Sequence, residues 1–251
     1  MNGTEAAAIA AASVAAGTIN AVVGSGTLIT FPTLLACGYP PVLANVTNNI
    51  GLAPGLLSAV YGYRRELRGQ LRRLLRFGAA SLIGGVTGAL LLLQLDPSAF
   101  DNVVPVLILA ACVLILLQPR LNAWLKRRAQ SGSTDGGVPM WCGVLGTGVY
   151  GGYFGAAQGV VLMGLFGSFL RDDLQRLNAA KNVLAAIVNG AAAVVFVAVA
   201  DVDWAAAGVI AAGSTVGGLL GARVGRKLPP VVLRAVIVTV GVTAASVMLA
   251  T

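Results

Sequence analysis

Residues 21–35 read AVVGSGTLITFPTLL. The stretch is apolar except where Gly24-Ser25-Gly26 and then Pro32 interrupt it. In a water-soluble chain such a glycine turn can hold a phosphate. In a membrane chain it can break a helix inside the bilayer. The surroundings decide between the two. Between Glu5 and Arg64 there is no charged residue, and the 251-residue chain is 57% hydrophobic and only 10% charged. Its mean hydropathy is +0.85. A water-soluble domain needs charged surface over such a length, so the composition specifies a polytopic membrane protein.

Composition also removes several chemistries. The chain has no histidine, which excludes a zinc site built on imidazole, a Ser-His-Asp triad and a histidine proton relay. Cys37, Cys112 and Cys142 form no CxxC and sit in apolar runs. They read as buried spectator thiols rather than metal or redox groups. No cofactor is expected. No Lys or Arg precedes Arg64, so a cleaved signal peptide with a basic leader is not expected. The net charge of +8 sits in loops between apolar runs, which argues against a nucleic-acid partner.

A hydrocarbon core of ~30 Å needs ~20 helical residues to cross it. Eight apolar segments meet or approach that length: 6–37, 45–63, 77–95, 102–118, 139–170, 178–200, 205–222 and 231–250. Two of them, 6–37 and 139–170, are too long for one ordinary span and short for two. The chain also repeats. Gly84, Gly85, Gly88 and Pro97 recur 133 residues later as Gly217, Gly218, Gly221 and Pro230. The same offset pairs Asn45 with Asn178 and Asn49 with Asn182, and an offset of 131 pairs Gly17 with Gly148 and Gly24 with Gly155. One shared GxxxG means little in a membrane helix; this many aligned features indicate duplication.

Charge then separates the halves. Loop 64–76 carries six arginines, whereas its partner near 200–204 carries Asp201 and Asp203 and no base. Loop 96–101 carries Asp96 and Asp101, whereas its partner at 223–234 carries Arg223, Arg226, Lys227 and Arg234. The sign flips at both loops, so the positive-inside rule gives the halves opposite orientations. The expected fold is all-α: a polytopic membrane protein of two inverted repeats, each a broken, re-entrant helical hairpin followed by three transmembrane helices. The first repeat is 1–118 and the second 139–251. A basic, Gly/Ser-containing cytoplasmic linker, 119–138, joins them. Eight simple spans in two parallel repeats would place seven of the 17 bases outside. The basic loops 64–76, 119–138 and 223–234 are expected on the cytoplasmic side of a bacterial inner membrane, with 64–76 an anchor that lies at the interface.

The glycine run then has a purpose. Broken backbone inside a membrane must be buried in protein or line a polar cavity. A new helix starting near Thr27 points its free N–H groups and positive dipole end inward. The second half has Gly155, Gln158 and Gly159 at the same place, with Gln158 aligned to Thr27. Two such ends suit an anion. The candidate substrate residues here are Gly24, Ser25, Gly26, Thr27, Gly155, Gln158 and Gly159. The glycines at 84–88 and 217–221 read instead as helix packing. A second polar cluster joins the list: Asn45, Thr47, Asn48 and Asn49, with Asn178, Lys181 and Asn182 in the partner half. Asn45 and Asn178 also suit plain helix caps, and Lys181 also suits snorkelling to the headgroups. Asn49 and Asn182 lie a turn further in, so each needs protein, water or substrate around it. If their helices start at the surface, Asn49 and Lys181 are only ~6 Å deep at 1.5 Å per residue.

These residues resemble a known family. Gly24 to Thr27, Pro32, Leu34 to Gly38 and Ala44 to Thr47, followed by Leu177-Asn178 and Lys181-Asn182, are similar to motifs of the sulfite exporter TauE/SafE family of bacterial membrane transporters. The resemblance covers nearly the whole chain. It departs at Thr27 and Leu28, where family members commonly carry further glycines. It implies export of a small sulfur-containing anion: sulfite, sulfoacetate or a related organosulfonate. The residues themselves leave open a transporter of another small organic anion such as a carboxylate, a passive anion channel, and a membrane scaffold. A membrane enzyme fits least, because no catalytic pair stands among the intramembrane residues. The expected partners are the lipid bilayer and the oxyanion substrate, with homo-oligomerisation left open.

Overall fold

A computed structural model describes residues 2–128, 136–224 and 230–250. They form helices α1 (Gly3–Val22), α2 (Thr27–Ala36), α3 (Pro41–Gly62), α4 (Leu71–Gln94), α5 (Pro97–Arg128), α6 (Gly137–Tyr153), α7 (Gln158–Phe169), α8 (Leu174–Val199), α9 (Trp204–Val224) and α10 (Pro230–Ala250). The order is two sets of five. Each long segment is indeed two helices: α1 and α2 replace 6–37, and α6 and α7 replace 139–170. Five helices are long and apolar enough to cross a membrane. Among the others, α3 is as long but carries Asn45, Asn48 and Asn49.

Some boundaries follow local chemistry. α1 opens with a capping box in which the Asn2 side chain accepts from Glu5 N and the Glu5 carboxylate accepts from Asn2 N, both at 2.8 Å. Two boundaries differ from the sequence reading. α4 begins at Leu71, so Arg72, Arg73 and Arg76 lie on its first turns and not in a separate interfacial helix. α5 runs through Pro119 to Arg128, so part of the expected linker is helical; residues 129–135 of it lie outside the described residues.

Small residues set the packing. Along α9, Gly213 faces Ala10 and Ser13 of α1, Gly217 faces Val14 and Thr18, and Gly221 faces Thr18 and Ala21. The two helices therefore run in parallel. α3 also runs parallel to α9, because Gly51 faces Ile210, Gly55 faces Ser214 and Gly62 faces Ala222. In the same way α4 runs parallel to α6: Gly84 faces Leu145 and Val149, and Gly88 faces Val149 and Tyr153. α4 and α8 start together, since Gln70 Nε2 donates to Arg176 O at 3.1 Å. Their start adjoins the ends of α3 and α9, where Tyr63, Ala179 and Ala222 share one buried cluster. So α1, α3 and α9 run one way, and α4, α6 and α8 run the other. The pairings also recur along the chain. Gly84 against Leu145 and Val149 repeats as Gly217 against Val14 and Thr18, and Gly85 against Val188 and Ala191 repeats as Gly218 against Gly55 and Ser58. The return arms are covered: α7 packs on α5 and α2 on α10.

Polar contacts tie each end. At one end Tyr39 Oη donates to Asp203 Oδ2 at 3.0 Å, and Asp203 Oδ1 accepts from Ala206 N at 2.9 Å at the start of α9. Burial, reinforced by the Asp203 carboxylate, pushes the Tyr39 hydroxyl up to about 12. The Ala206 N–H holds Asp203 below its ordinary value, and Tyr39 adds to that. At the other end Asp172 accepts from Arg73 at 2.6 Å and from Arg176 at 2.8 Å.

Two stability tests follow. A Cβ at Gly88 would lie 2.0 Å from Val149 O, whereas one at Gly190 meets nothing within 4 Å. Gly88→Leu is expected to abolish the monodisperse folded protein in detergent. Gly190→Ala is expected to leave the thermal midpoint unchanged or raised, by at most about 1 kcal/mol of helix propensity. Asp203→Ala removes a helix cap and is expected to cost about 1 kcal/mol at neutral pH. Because the Asp203 pKa is lowered on folding, that stabilisation is complete above its unfolded value of about 4 and is lost as pH falls through the folded value. Thermal midpoints of wild type and variant should converge there; a gap that persists at lower pH would contradict the assignment.

Candidate functional site

The two breaks are built alike. At the end of α1, Val23 N and Gly24 N both donate to Ile19 O, at 2.7 and 3.1 Å. At the end of α6, Phe154 N and Gly155 N both donate to Tyr150 O, at 2.9 and 3.0 Å. Gly24 and Gly155 adopt φ of +84° and +79°, the left-handed conformation that ends a helix with little cost only for glycine. Ala157 precedes α7 with φ +58°, a conformation that costs a side-chain-bearing residue about 1–2 kcal/mol. Gly26 N donates to Asn20 Oδ1 at 2.7 Å, which folds the turn back on α1. Phe154 is held by ring contacts to Phe31 at 5.2 Å and Phe100 at 6.2 Å.

The breaks meet each other. Gly159 N donates to Gly24 O at 3.1 Å. A Cβ on either glycine would fall 2.5 Å from the other's Cα. No side chain fits between them, and this conformation is closed at that point. The second polar cluster points to the same place from both halves. Asn178 Nδ2 and Asn182 Nδ2 donate to Ala21 O at 3.2 and 3.1 Å. Lys181 Nζ donates to Asn20 O at 3.2 Å and Ala21 O at 3.5 Å. From the other half, Asn45 Nδ2 donates to Tyr153 O at 2.9 Å.

These bonds revise the plain readings. The N-cap positions belong to Pro40 and Asp173, so neither Asn45 nor Asn178 caps its own helix; each reaches a carbonyl at the end of a broken helix in the other half. Lys181 is 0% exposed and does not snorkel. Its ammonium sits at the carbonyl end of α1, where the helix dipole favours a cation. The return arms are short: α2 has 10 residues and α7 has 12, about 15 and 18 Å at 1.5 Å per residue, against ~30 Å for a hydrocarbon core.

The other candidates divide. Thr27 and Gln158 are buried and open α2 and α7 as aligned. Asn48 Oδ1 accepts from Thr30 Oγ1. Thr47 is turned away, its Oγ1 accepting from Asp203 N at 3.2 Å, and stands apart from the breaks. Four candidates keep a buried polar atom without a hydrogen-bond partner among the described residues: Ser25 Oγ, Asn49 Oδ1, Gln158 Nε2 and Asn182 Oδ1. Each such atom costs about 1–3 kcal/mol and requires an explanation. Sequence reasoning missed Asn20 and Thr30, both buried. The signal for Asn20 was available: it is a lone amide in an apolar run, the same argument that selected Asn49.

The model of the sulfite exporter TauE/SafE family matches residues 9–248. The chain is 29% identical over 214 residues to "Probable membrane transporter protein YfcA" of Escherichia coli (strain K12), covering 85% of this chain and 76% of that one. It is 30% identical over 208 residues to "Probable membrane transporter protein" of Haemophilus influenzae, covering 82% and 79%. No solved structure matches the chain. An all-helical membrane protein with two broken helices meeting at Gly24 and Gly159, matched by the family over nearly its whole length, belongs to the sulfite exporter TauE/SafE family of membrane transporters.

Proposed function

We propose that this transporter exports a small sulfur-containing oxyanion, such as sulfite, sulfoacetate or a related organosulfonate, by alternating access at the two helix breaks. The observation that carries the reading is that, of six unpartnered buried polar atoms among the described residues, four gather here, Ser25 Oγ, Asn49 Oδ1, Gln158 Nε2 and Asn182 Oδ1, while Ser81 Oγ and Gln175 Oε1 lie elsewhere. The four belong to the two breaks and to the polar helices that cap them. A packed scaffold gains nothing from such atoms; a site that is empty and closed in one state leaves them unpaired until substrate or water arrives.

The chemistry supports an anion. α2 and α7 begin at the breaks with no side-chain cap, so their N–H ends favour negative charge. Among the described residues Lys181 is the one buried charged side chain. In this reading Gly24 to Thr27, Gly155, Gln158 and Gly159 hold the oxygens, and Asn49, Lys181 and Asn182 supplement them. Asn45, Asn48 and Asn178 fix the backbone around them. An interior-negative potential drives an anion outward by ~2.3 kcal/mol per charge per 100 mV, so export needs no coupled cation. The two halves insert with opposite orientation in the bacterial inner membrane, with the arginine-rich end cytoplasmic. Supporting this are the opposite directions of α1, α3, α9 and α4, α6, α8 and the two charge reversals.

Flux of labelled sulfite from proteoliposomes under an imposed potential tests the reading. Saturable efflux is expected. Ser25→Ala removes an unpartnered hydroxyl, so the thermal midpoint should hold or rise while the KM for sulfite rises about tenfold, the worth of ~1.4 kcal/mol. Lys181→Met should lower flux further. Unchanged KM in Ser25→Ala, with its stability raised, would sink the site assignment. Orientation is read from single cysteines placed at Asp201 and Arg65 in a chain whose native cysteines are replaced. An impermeant maleimide added outside should label position 201 and spare 65; labelling of 65 alone would reverse the orientation.

A further inference from the structure

Away from the breaks, a cavity of about 530 Å³ opens at the arginine-rich end, lined by Gly69, Gln70, Arg72, Arg73, Arg76, Phe77 and Arg176. Four guanidinium groups line it, and among the described residues no carboxylate does. Arg72, Arg73 and Arg76 come from the first turns of α4, and Arg176 comes from α8 in the other half. A membrane anchor needs arginines that splay into the headgroups; here they converge on one space from two helices.

The local electrostatics are strongly positive. Arg72 and Arg73 occupy the first turn of α4, where the free N–H groups and the positive dipole end already disfavour cations. Gln70, the cap residue, makes no cap bond. Its Nε2 donates instead to Glu66 O at 2.8 Å and Arg176 O at 3.1 Å, and its Oε1 accepts from Arg73 at 3.0 Å. Among the described residues Asp172 makes ion pairs with this group, shared by Arg73 and Arg176. Burial pushes the Asp172 carboxyl up, but the Arg73 hydrogen bond, the Asp173 N–H and the Arg176 charge outweigh it and leave it below its ordinary value. It stays ionised and holds two forks in place. The Arg176 Nη1 group also donates to Arg68 O at 3.1 Å. Further N–H donors on both forks remain. Leu71, Leu75 and Leu174 stand exposed on the same helix starts, at 68%, 66% and 44%.

We propose that this cavity binds a phosphate-type oxyanion group, supplied by an anionic phospholipid whose acyl chains lie on Leu71, Leu75 and Leu174. Guanidinium forks match phosphate oxygens in pairs, and basic pockets between helix ends are suited to lipid headgroups. The bound group bridges α4 of the first half and α8 of the second, so occupancy fastens the halves together at this end. The site is separate from the transport reading: it touches none of the residues at the breaks, and its test needs no flux.

The purified protein in neutral detergent is titrated with dioctanoyl phosphatidylglycerol, with bound lipid counted by native mass spectrometry and stability followed by thermal midpoint. A saturable adduct that raises the midpoint is expected, absent with dioctanoyl phosphatidylcholine. Arg72→Gln/Arg76→Gln should weaken it about tenfold or more. Arg64→Gln/Arg65→Gln removes the same charge from the same basic stretch, next to a separate cavity that Glu66 also lines, and should leave it within about twofold. Equal weakening in both double variants means diffuse attraction and overturns the site, as does the lack of any saturable adduct. Displacement of the lipid by millimolar inorganic phosphate or sulfite, reversed by dilution, keeps the oxyanion site and assigns it to a soluble anion.

Discussion

A helix that ends in the protein interior leaves carbonyls that no water can reach, and the structure is arranged around meeting that need. α1 ends at Val22, and the carbonyls of Asn20 and Ala21 take hydrogen bonds from Asn178, Lys181 and Asn182. α6 ends at Tyr153, whose carbonyl takes one from Asn45. In each case the donor belongs to the other half of the chain. Gly159 N does the same for Gly24 O. Neither half can satisfy its own broken helix alone, so duplication here produces two units that complete each other. The glycine contacts follow from the same requirement, because the donors reach only if the helices carrying them come within backbone contact.

The helices group in a way that cuts across the repeat. α1, α3 and α9 run together with backbones in close contact, and so do α4, α6 and α8. Each group takes two helices from one half and one from the other. Between the groups lies the contact of α3 with α8, and these two helices carry the asparagines and Lys181. Tyr39 with Asp203 ties α9 to the start of α3 within one group, and Arg73 with Asp172 ties the start of α4 to that of α8 within the other. The caps on α1 and α6 are the polar bonds that cross the seam. In the transport reading, a rocking motion of one group against the other would load those caps first and leave the end ties intact.

What the sequence made legible was local. Glycine in a long apolar run fixed where the helices break, and the alignment of Thr27 with Gln158 placed the first residue of both return arms, because a helix restart depends on its own few residues. The repeat was legible because a constant offset is a property of the string. What stayed hidden was non-local. Nothing in "NVTNN" says that Asn45 reaches Tyr153 O while Thr47 turns to Asp203 N; both depend on where the other half lies. Arg72, Arg73 and Arg76 resembled loop because they precede the apolar run at 77–95, yet α4 begins at Leu71. Pro119 resembled a stop, yet α5 passes through it. Asn20 is a lone amide in an apolar run, but its role, accepting from Gly26 N, depends on how the chain turns back after Gly24.

The halves are not equivalent where it matters for an anion. Lys181 aligns with Asn48, so one break has a cation at its carbonyl end and the other has amides. α1 carries the dipole of 20 residues and α6 that of 17, each equivalent to about half a negative charge at the carbonyl end. Lys181 Nζ donates to carbonyls at the α1 end and opposes it there. At α6 the Asn45 amide leaves it largely in place, and Phe154 with its ring partners fills the space beside it. An amine therefore stands at one side of the Gly24–Gly159 contact and amides at the other. An ammonium has three N–H donors, and two carbonyls occupy Lys181 in this closed conformation. In the transport reading, an anion arriving from the α8 side meets the charge at once, and one that has passed the contact loses it. In that reading a symmetric pair of asparagines would hold the anion equally on both sides, and the single lysine is what would make them unequal.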